Sequence, residues 1–388
     1  MPRERSRDRT APPRRPPVPA TPARAPARPR LAGRPRVVVL YGAVAEGAPP
    51  DEQDTLAQVR AVSESLLRQD FEALPLAMTL RLDALRDRLA ELRPRLVFNL
   101  VEAVDGRDAL LPLGPLVLEA LGIPYTGASL TALVRTGDKR DAKRALARAG
   151  IPTPPLWRSP APDRPAHPPD ARWIVKSVTE HASRGLDEGA VVRGDAAVAE
   201  TLRERRQRLG GRWFAERYVP GREFNLSLLD GPEGPEVLPV AEIRFQGFPP
   251  GAPHIVGYAA KWAPDSAASR GTPRAFETAP GDEALHERLR TLARRCWEVF
   301  ELRGYARVDF RVDATGSPFV LEINANPCLA PDAGFVAAAA RAGLSFARLV
   351  HRLVEAMLPP PAADSPPTAA APPRRTGRPR PAPRAARG

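Results

Sequence analysis

Two alternating apolar stretches near the end of the chain constrain the fold more than any other feature. They span residues 307–312 and 319–327, and the residues between them are mostly turn formers. This pattern predicts a β-hairpin. Because alternate residues of a strand share one face, the polar side chains of both strands gather on a single surface. That surface carries Arg307, Asp309, Glu322 and Asn324, and the opposite, apolar side carries Val308, Phe310, Leu321 and Ile323.

The polar surface of the hairpin offers hard oxygen ligands and neither sulfur nor imidazole. The ligands are the carboxylates of Asp309 and Glu322 and the amide of Asn324. Such a set suits Mg²⁺, which usually shares its coordination shell with waters and substrate phosphates. Arg307 then faces the anion that the metal holds. The alternative is that these are ordinary solvated residues on an exposed face, with residues 324–327 forming a plain turn.

The hairpin sequence, R-V-D-F followed by V-L-E-I-N-A-N-P, resembles the metal-binding signature of the ATP-grasp superfamily, and within it the D-alanine–D-alanine ligase family. In that family the corresponding Asp, Glu and Asn hold two Mg²⁺ ions, or Mn²⁺, across the ATP phosphates, and the Arg stabilises the tetrahedral transition state. The resemblance assigns the metal to Asp309, Glu322 and Asn324 and catalysis to Arg307. It implies an ATP-dependent ligase that joins a carboxylate to an amine through an acyl phosphate, in peptidoglycan synthesis and cell wall biogenesis.

Four other segments resemble the nucleotide-binding motifs of the family. They are a predicted helix at 138–150, a strand and polar loop at 173–185, a hinge at 213–224 and a short segment at 258–262. The resemblance implies that Glu216 accepts from the exocyclic amine of adenine, that Glu223 holds the ribose and that Lys261 neutralises the transferred phosphate. It assigns nucleotide binding to Lys139, Lys176, Glu216, Val219, Glu223, Lys261 and Asn324, and it adds Lys261 and Ser183 to the catalytic residues.

Some of these side chains also have plainer interpretations. Glu216 and Glu223, taken without the other motifs, are typical of salt-bridging residues at a sheet edge. His181 and Arg184, in the polar loop, either assist phosphate binding or are solvated. Asp138 is predicted to cap the helix that begins after it.

Residues 37–127 alternate between strand-like and helix-like stretches. Alternation of this kind predicts a doubly wound sheet, and the continuous apolar run that opens it is typical of a buried parallel strand. The segment L-E-A-L-G-I-P-Y-T-G at 118–127 resembles the N-terminal domain of the ligase family. The predicted strands are 37–42, 71–76 and 96–101, and the predicted helices are 55–69, 82–92 and 113–121.

Both amino-acid pockets depart from the family pattern. Residues 41–47 stand where the family has a Gly-rich, Glu-bearing loop, and residues 328–335 stand where it has a loop resembling M-T-S-H-S. The His of a third family loop is absent from residues 99–108. The family resemblance makes D-alanine the first candidate substrate. Because both pockets diverge, the alternative is another amino acid or peptide outside wall synthesis. Three acids of the third loop either replace the lost polar groups or are solvated: Glu102, Asp105 and Asp108.

Both ends of the chain are rich in Arg, Pro and Ala. Residues 1–36 contain eleven Arg and two acids, and residues 359–388 contain six Arg and one Asp. The ends thus carry +9 and +5 of the formal net charge of +13, and the body carries −1. We expect both ends to be disordered, because few apolar side chains are present to offset the ordering entropy. They either contact nucleic acid or an anionic membrane nonspecifically, or reflect codon drift in a GC-rich genome or an early start codon.

The expected organisation is an α/β (α+β) chain with a preATP-grasp domain, a two-lobed ATP-grasp domain and disordered tails. No apolar run is long enough to span a membrane, and the N-terminus lacks the apolar core of a signal peptide, so a cytoplasmic protein is expected. The resemblance implies amino-acid substrates and a homodimer. The alternative from a different functional class is a protein that keeps a nucleotide-binding fold and binds nucleic acid through its tails. The predicted boundaries are 1–34 for the first tail, 35–130, 131–215 and 216–358 for the N-terminal, central and C-terminal parts, and 359–388 for the second tail.

Overall fold

The computed structural model describes residues 33–161, 163, 165–263 and 265–358. The tails predicted at 1–34 and 359–388 lie outside this part of the chain, apart from Gly33 and Arg34. Within the described residues, no helix is both long enough and apolar enough to cross a membrane.

A parallel sheet with helices on both faces forms the N-terminal region. Its strands are ordered β2-β1-β3, and β1 is buried because α1 covers one face and α2 the other. Val37 and Val39 share a core with residues of α1, whereas Val38 and Leu40 share one with residues of α2. The elements are β1 (Arg36–Gly42), α1 (Pro50–Arg68), β2 (Glu72–Met78), α2 (Leu82–Leu92), β3 (Leu96–Asn99), the short 3₁₀ helix Asp108–Leu110 and α3 (Leu113–Ala120).

The predicted alternation of strands and helices is confirmed here, with shifted boundaries. The strand expected at 96–101 ends at Asn99, because the side chain of Asn99 accepts a hydrogen bond of 3.3 Å from the N–H of Val101 and turns the chain. The helix expected at 55–69 begins earlier, where a proline occupies its first position. Proline is favoured there, since the first N–H of a helix has no partner within the helix.

The central region is a small antiparallel sheet in the order β5-β4-β6. Asp138 caps α5 as predicted, because its carboxylate accepts from the N–H groups of Arg140 and Asp141. The elements are α4 (Leu130–Gly137), α5 (Lys139–Arg148), β4 (Arg172–Ser177), the 3₁₀ helix Glu188–Ala190, β5 (Val191–Arg193), α6 (Gly194–Leu209) and β6 (Trp213–Arg217).

The C-terminal region contains a larger antiparallel sheet in the order β10-β9-β7-β11-β12, with β8 also paired to β7. Strand β9 begins only at Ala241, since Pro239, two positions earlier, has no N–H to donate to a ladder. The elements are β7 (Arg222–Leu229), β8 (Glu236–Val237), β9 (Ala241–Ile243), α7 (Tyr258–Trp262), α8 (Ala267–Arg270), β10 (Arg274–Ala275), α9 (Glu283–Val299), β11 (Tyr305–Val312), β12 (Pro318–Asn324), α10 (Gly334–Arg341) and α11 (Phe346–Glu355).

The predicted hairpin is formed by β11 and β12, with a bulge that corrects one assignment. Asp309 pairs with Glu322, but the next residue, Phe310, pairs with Val320, so Leu321 is an extra residue on β12. A bulge of this kind re-aims side chains next to it. Val320 is therefore the buried core residue, and the expectation that Leu321 lies on the apolar face is wrong: it is half-buried and lines the cavity described below.

Candidate active site

One cavity of about 580 Å³ is bounded by the central and C-terminal sheets, by α1 and by the segment after β3. It is lined by every residue to which the sequence assigned a catalytic, nucleotide or metal role, although those residues span nearly 190 positions of the chain. These are Lys139, Lys176, Ser183, Glu216, Val219, Glu223, Lys261, Arg307, Asp309, Glu322 and Asn324.

The carboxylate of Asp309 is held from two sides. The guanidinium of Arg307 donates to both of its oxygens, with Nε to Oδ1 at 2.7 Å and Nη2 to Oδ2 at 2.8 Å. The amide of Asn225, on the neighbouring strand β7, donates to Oδ1 at 2.8 Å. Asn225 was not found by sequence reasoning, because only the register of β7 against β11 places it opposite Asp309. These contacts fix the orientation of Asp309 toward the cavity.

Glu322, directly opposite Asp309 in the hairpin, lies in a cationic setting. Its Oε1 is 2.8 Å from Nδ1 of His181 and 3.4 Å from Nζ of Lys139. Burial alone would raise the pKa of Glu322, but Lys139 and His181 hold that pKa well below its usual range. Glu322 is thus a carboxylate at every physiological pH, as a metal ligand must be.

The hairpin acids fit a hard divalent cation as part of a shared site. Asp309 and Glu322 form one cross-strand pair, and Asn324 lies two positions further along β12, opposite Arg307, so their oxygens approach the cavity from one surface. Within the described residues, no cluster of three or more His, Cys, Asp or Glu side chains could hold a metal by itself. Mg²⁺ usually shares its coordination shell with waters and substrate phosphates, so these donors would supply part of that shell.

Glu216 is fully buried between two lysines. Lys176 on β4 contacts its Oε1 at 2.7 Å, and Lys143 on α5 contacts its Oε2 at 2.5 Å. Burial alone would raise the pKa of Glu216, but the two ammonium groups lower it. Glu216 therefore forms salt bridges, as the plainer interpretation of this residue expects. Lys143 was missed, although it lies four positions after Lys139 and so on the same helix face.

Glu223 and Lys261 differ in whether their charge is paired. Glu223 pairs with Arg311, with Nε and Oε2 at 3.1 Å. The side chain of Lys261 makes no hydrogen bond or ion pair with any other described residue. Desolvation in the cleft and the charge of nearby Arg307 lower the pKa of Lys261. An ammonium group held this way is an unsatisfied cation that an incoming anion would complete.

The polar loop at 177–185 is folded down over the cavity by specific contacts. Ser183 has a left-handed φ of 60° and donates from Oγ to the carbonyl of Val256 at 3.1 Å. The guanidinium of Arg184 contacts Asp51 at 2.7 Å and Glu52 at 2.8 Å in the first turn of α1. His181 and Arg184 are thus neither solvated nor free: one contacts Glu322 and the other ties the loop to the N-terminal region.

The side of the cavity nearest α1 is acidic. Burial among Asp54, Asp108 and Asp51 raises the pKa of Glu102 to about 7, even though Gln58 donates to Glu102 at 2.9 Å. Asp108 accepts from the N–H of His181 at 2.7 Å. Two of the three acids of the third loop therefore line the cavity, whereas Asp105 lies in an exposed turn with a φ of 49°.

A family model and two known proteins match this chain over much of its length. The model of the D-Ala–D-Ala ligase C-terminus matches residues 172–355. A D-alanine–D-alanine ligase of Acidiphilium cryptum is 31% identical over 327 residues, which are 82% of this chain and 97% of that protein. An uncharacterized protein of Sinorhizobium fredii is 31% identical over 264 residues, or 67% of this chain and 74% of that protein.

A solved structure shares the fold. The D-alanine–D-alanine ligase of Bacillus anthracis, complexed with ATP, superposes with a TM-score of 0.63 at 20% sequence identity and covers 83% of this chain and 97% of its own. The family resemblance and the predicted fold class are confirmed by these matches. The chain belongs to the D-alanine–D-alanine ligase family and is an ATP-dependent carbon–nitrogen ligase of that type.

Proposed function

We propose that the protein joins two amino acids through a peptide bond at the expense of ATP, with D-alanine as the first candidate substrate. A carboxylate oxygen attacks the γ-phosphorus and ADP leaves. The amine nitrogen of the second amino acid then attacks the acyl carbon, phosphate leaves, and the nitrogen loses its extra protons to solvent. One observation carries this proposal: a single cavity brings together cationic groups for the phosphates and the acids of the hairpin.

The nucleotide is proposed to lie between the two ATP-grasp sheets. Lys139 and Lys176 would bind its phosphates, and they are already positioned by hydrogen bonds of 2.6 Å to the carbonyl of Glu180 and 2.7 Å to Glu216. Val219 and Glu223, which follow β6 and open the next strand, would receive the adenine edge and the ribose. Because Glu216 is buried, its side chain has a fixed position and in turn fixes the ammonium group of Lys176.

Mg²⁺, with Mn²⁺ as the alternative, fits the oxygen donors of Asp309, Glu322 and Asn324. Two ions there would neutralise phosphate charge and polarise the phosphoryl group. The chain itself supplies orientation: Asn225 and Arg307 hold Asp309, and the N–H of Asn326 donates to Asn324 Oδ1 at 3.0 Å.

Catalysis is proposed to come from positioning and charge. Arg307 uses Nε and Nη2 on Asp309, which leaves Nη1 to face the reacting centre. Lys261 would meet the transferred phosphoryl group. Ser183 would position the loop that excludes water, since its hydroxyl already ties that loop to Val256.

A second candidate substrate class follows from the acidic side of the cavity. Glu102, Asp54 and Asp51 line this side of the cavity, where we propose that the first amino acid lies, and none of the matched motifs covers them. The alternative substrate is therefore an amino acid or peptide other than D-alanine, used outside wall synthesis.

The family resemblance also implies a homodimer, and light scattering would test this oligomeric state.

The test measures ADP release with Mg-ATP against a panel of D- and L-amino acids. We expect turnover with D-alanine and its loss by at least a hundredfold in Asp309→Asn, because one metal ligand then loses its charge. Nucleotide binding is measured in parallel. Glu298→Gln, an exposed acid on α9, is the matched control and should retain wild-type turnover.

The outcomes separate the candidates. Turnover only with other amines removes D-alanine. Absence of any magnesium-dependent affinity for ATP would refute the proposed function as a whole.

A further inference from the structure

Five arginines line the cavity, and their partners differ. Arg184, Arg307 and Arg311 are paired with acids, and the guanidinium of Arg217 stacks 5.8 Å from the ring centre of Trp173. The side chain of Arg274, on β10, makes no hydrogen bond, ion pair or ring contact with another residue in the described part of the chain. Arg274 is thus the guanidinium whose donors remain available to a ligand.

The guanidinium of Arg274 packs against the backbone of Gly334. A Cβ added to Gly334 would lie 3.1 Å from Nη2, 3.3 Å from Cζ and 3.4 Å from Nε of Arg274. Nearly equal distances to three atoms of one plane mean that the guanidinium lies flat over this glycine. Arg274 lines the cavity, and the charge of Asp332 acts on its guanidinium, but no described acid forms an ion pair with it.

The charged neighbours of Arg274 differ from those of Lys261. The charges that act on Arg274 are those of Arg307 and Asp332, whereas those that act on Lys261 are Arg307, Glu322, Asp309 and Glu223. Arg307 is therefore a neighbour of both side chains, and the acids of the hairpin act on Lys261. Burial and the charge of Arg307 lower the pKa of Arg274, which is the signature of an uncompensated cation. A second anion beyond the phosphates would remove this repulsion.

We infer that Arg274 binds a carboxylate of the second substrate, the one that supplies the amine. This inference rests on the proposed function, because it places the amine of that substrate beside Arg307 and its carboxylate at Arg274. Guanidinium and carboxylate match geometrically through two parallel hydrogen bonds. The enzyme should therefore select amines that carry a carboxylate, either the α-carboxylate or one on a side chain.

The experiment compares D-alanine with D-alaninamide as the second substrate in the full-length protein with Mg-ATP. The amide has no carboxylate to activate, so it serves only as an amine. We expect the wild type to use D-alaninamide at least tenfold less efficiently than D-alanine. In Arg274→Gln the KM of the second D-alanine should rise at least tenfold, with kcat and the KM for ATP within twofold of wild type.

Two further variants sharpen the test. Arg274→Lys keeps the charge and should recover part of the loss. Arg244→Gln removes an exposed arginine that follows β9, is paired with Glu277 and lies outside the cavity, and should leave all constants unchanged. D-aspartate and D-glutamate identify the source of the carboxylate: if they are better amines than D-alanine and lose more in Arg274→Gln, the side-chain carboxylate is the ligand.

Failure of this inference is distinct from failure of the proposed function. If turnover occurs and Arg274→Gln leaves the KM of the second amino acid unchanged, the inference is wrong and the function stands. If no amino acid supports turnover, calorimetry with D-alanine and D-alaninamide in the presence of Mg-ADP decides the matter. Equal affinity of the wild type for the two compounds would then overturn the role of Arg274.

Discussion

Glu102 combines burial with three acidic neighbours, an arrangement that a fold tolerates mainly at a binding site. Its pKa of about 7 lies above its ordinary value of 4.5, first because of desolvation and then because of Asp54, Asp108 and Asp51. Between these two pH values the folded protein holds a proton that the unfolded chain has released. Raising the pH through this window therefore removes stability.

Glu102→Gln removes this titration while keeping the shape and the hydrogen-bonding capacity of the side chain. Since one pKa unit corresponds to about 1.4 kcal/mol, we expect the variant to gain about 2–3 kcal/mol over the wild type at pH 8. At pH 5, which is close to the ordinary pKa of 4.5, the gain should fall below about 1 kcal/mol. Urea unfolding at the two pH values measures the difference, with the exposed Glu64→Gln on α1 as control. An equal effect of Glu102→Gln at both pH values would contradict the assignment.

At the scale of elements, the loop at 177–185 is held down by contacts from three directions. Arg184 reaches α1, the N–H of His181 donates to Asp108, and the indole of Trp262 on α7 donates to the carbonyl of Ala182 at 3.1 Å. At its end Gly185, with a φ of 70°, packs so closely on Trp213 that a Cβ would lie 2.5 Å from the ring. The loop thus closes the cavity as a lid, and closure of this kind excludes water from a phosphoryl transfer.

Arg184→Gln should loosen that lid. Two charge-assisted hydrogen bonds, each worth about 1.5–3 kcal/mol, would be replaced by weaker neutral ones. We expect amide hydrogen exchange in residues 178–186 to accelerate at least tenfold, while exchange in β4 and β6 stays the same. Arg193→Gln, an exposed arginine on β5, is the control. Unchanged exchange in the loop would mean that Gly185 and Trp262, rather than Arg184, hold it closed.

At the scale of the whole molecule, every residue assigned to the reaction lies between positions 139 and 324, and the acids of α1 and of the third loop complete the cavity. The net positive charge of the chain is located outside this part, at its two ends. The two ends carry +9 and +5, against −1 for the body. Catalysis and attraction to polyanions are therefore expected to be separable.

Removal of residues 1–34 and 360–388 tests this separation. We expect the trimmed protein to keep Mg-ATP turnover within about twofold of the full chain, because the cavity is intact. Binding to duplex DNA at low salt should fall by at least tenfold, since fewer phosphates are neutralised. Fluorescence anisotropy and ADP release measure the two properties. DNA binding that disappears, with no turnover in either protein, would favour the nucleic-acid-binding alternative.

Local sequence was sufficient wherever one short segment decides its own structure. The alternation at 307–324 predicted the hairpin, the aspartate at 138 predicted the cap of α5, and the apolar run at 37–42 predicted a buried parallel strand. Each depends on neighbours within a few positions, through side-chain periodicity or a hydrogen bond to the next turn. The same motifs, through the family resemblance, named the residues that line the cavity.

Only the tertiary structure decided which side chains face one another across the chain. Arg184 contacts Asp51, 133 positions away, and Lys143 contacts Glu216. The guanidinium of Arg274, beside Gly334, has no hydrogen-bond or ion-pair partner among the residues that the structure describes. The bulge that turns Leu321 into the cavity likewise depends on how β12 pairs with β11. The spacing of residues along a strand or helix specifies a face, but the partner of that face is selected by packing between distant segments. The proposed metal and nucleotide positions therefore follow from sequence motifs, whereas the lid contacts and the proposed carboxylate site follow from the fold.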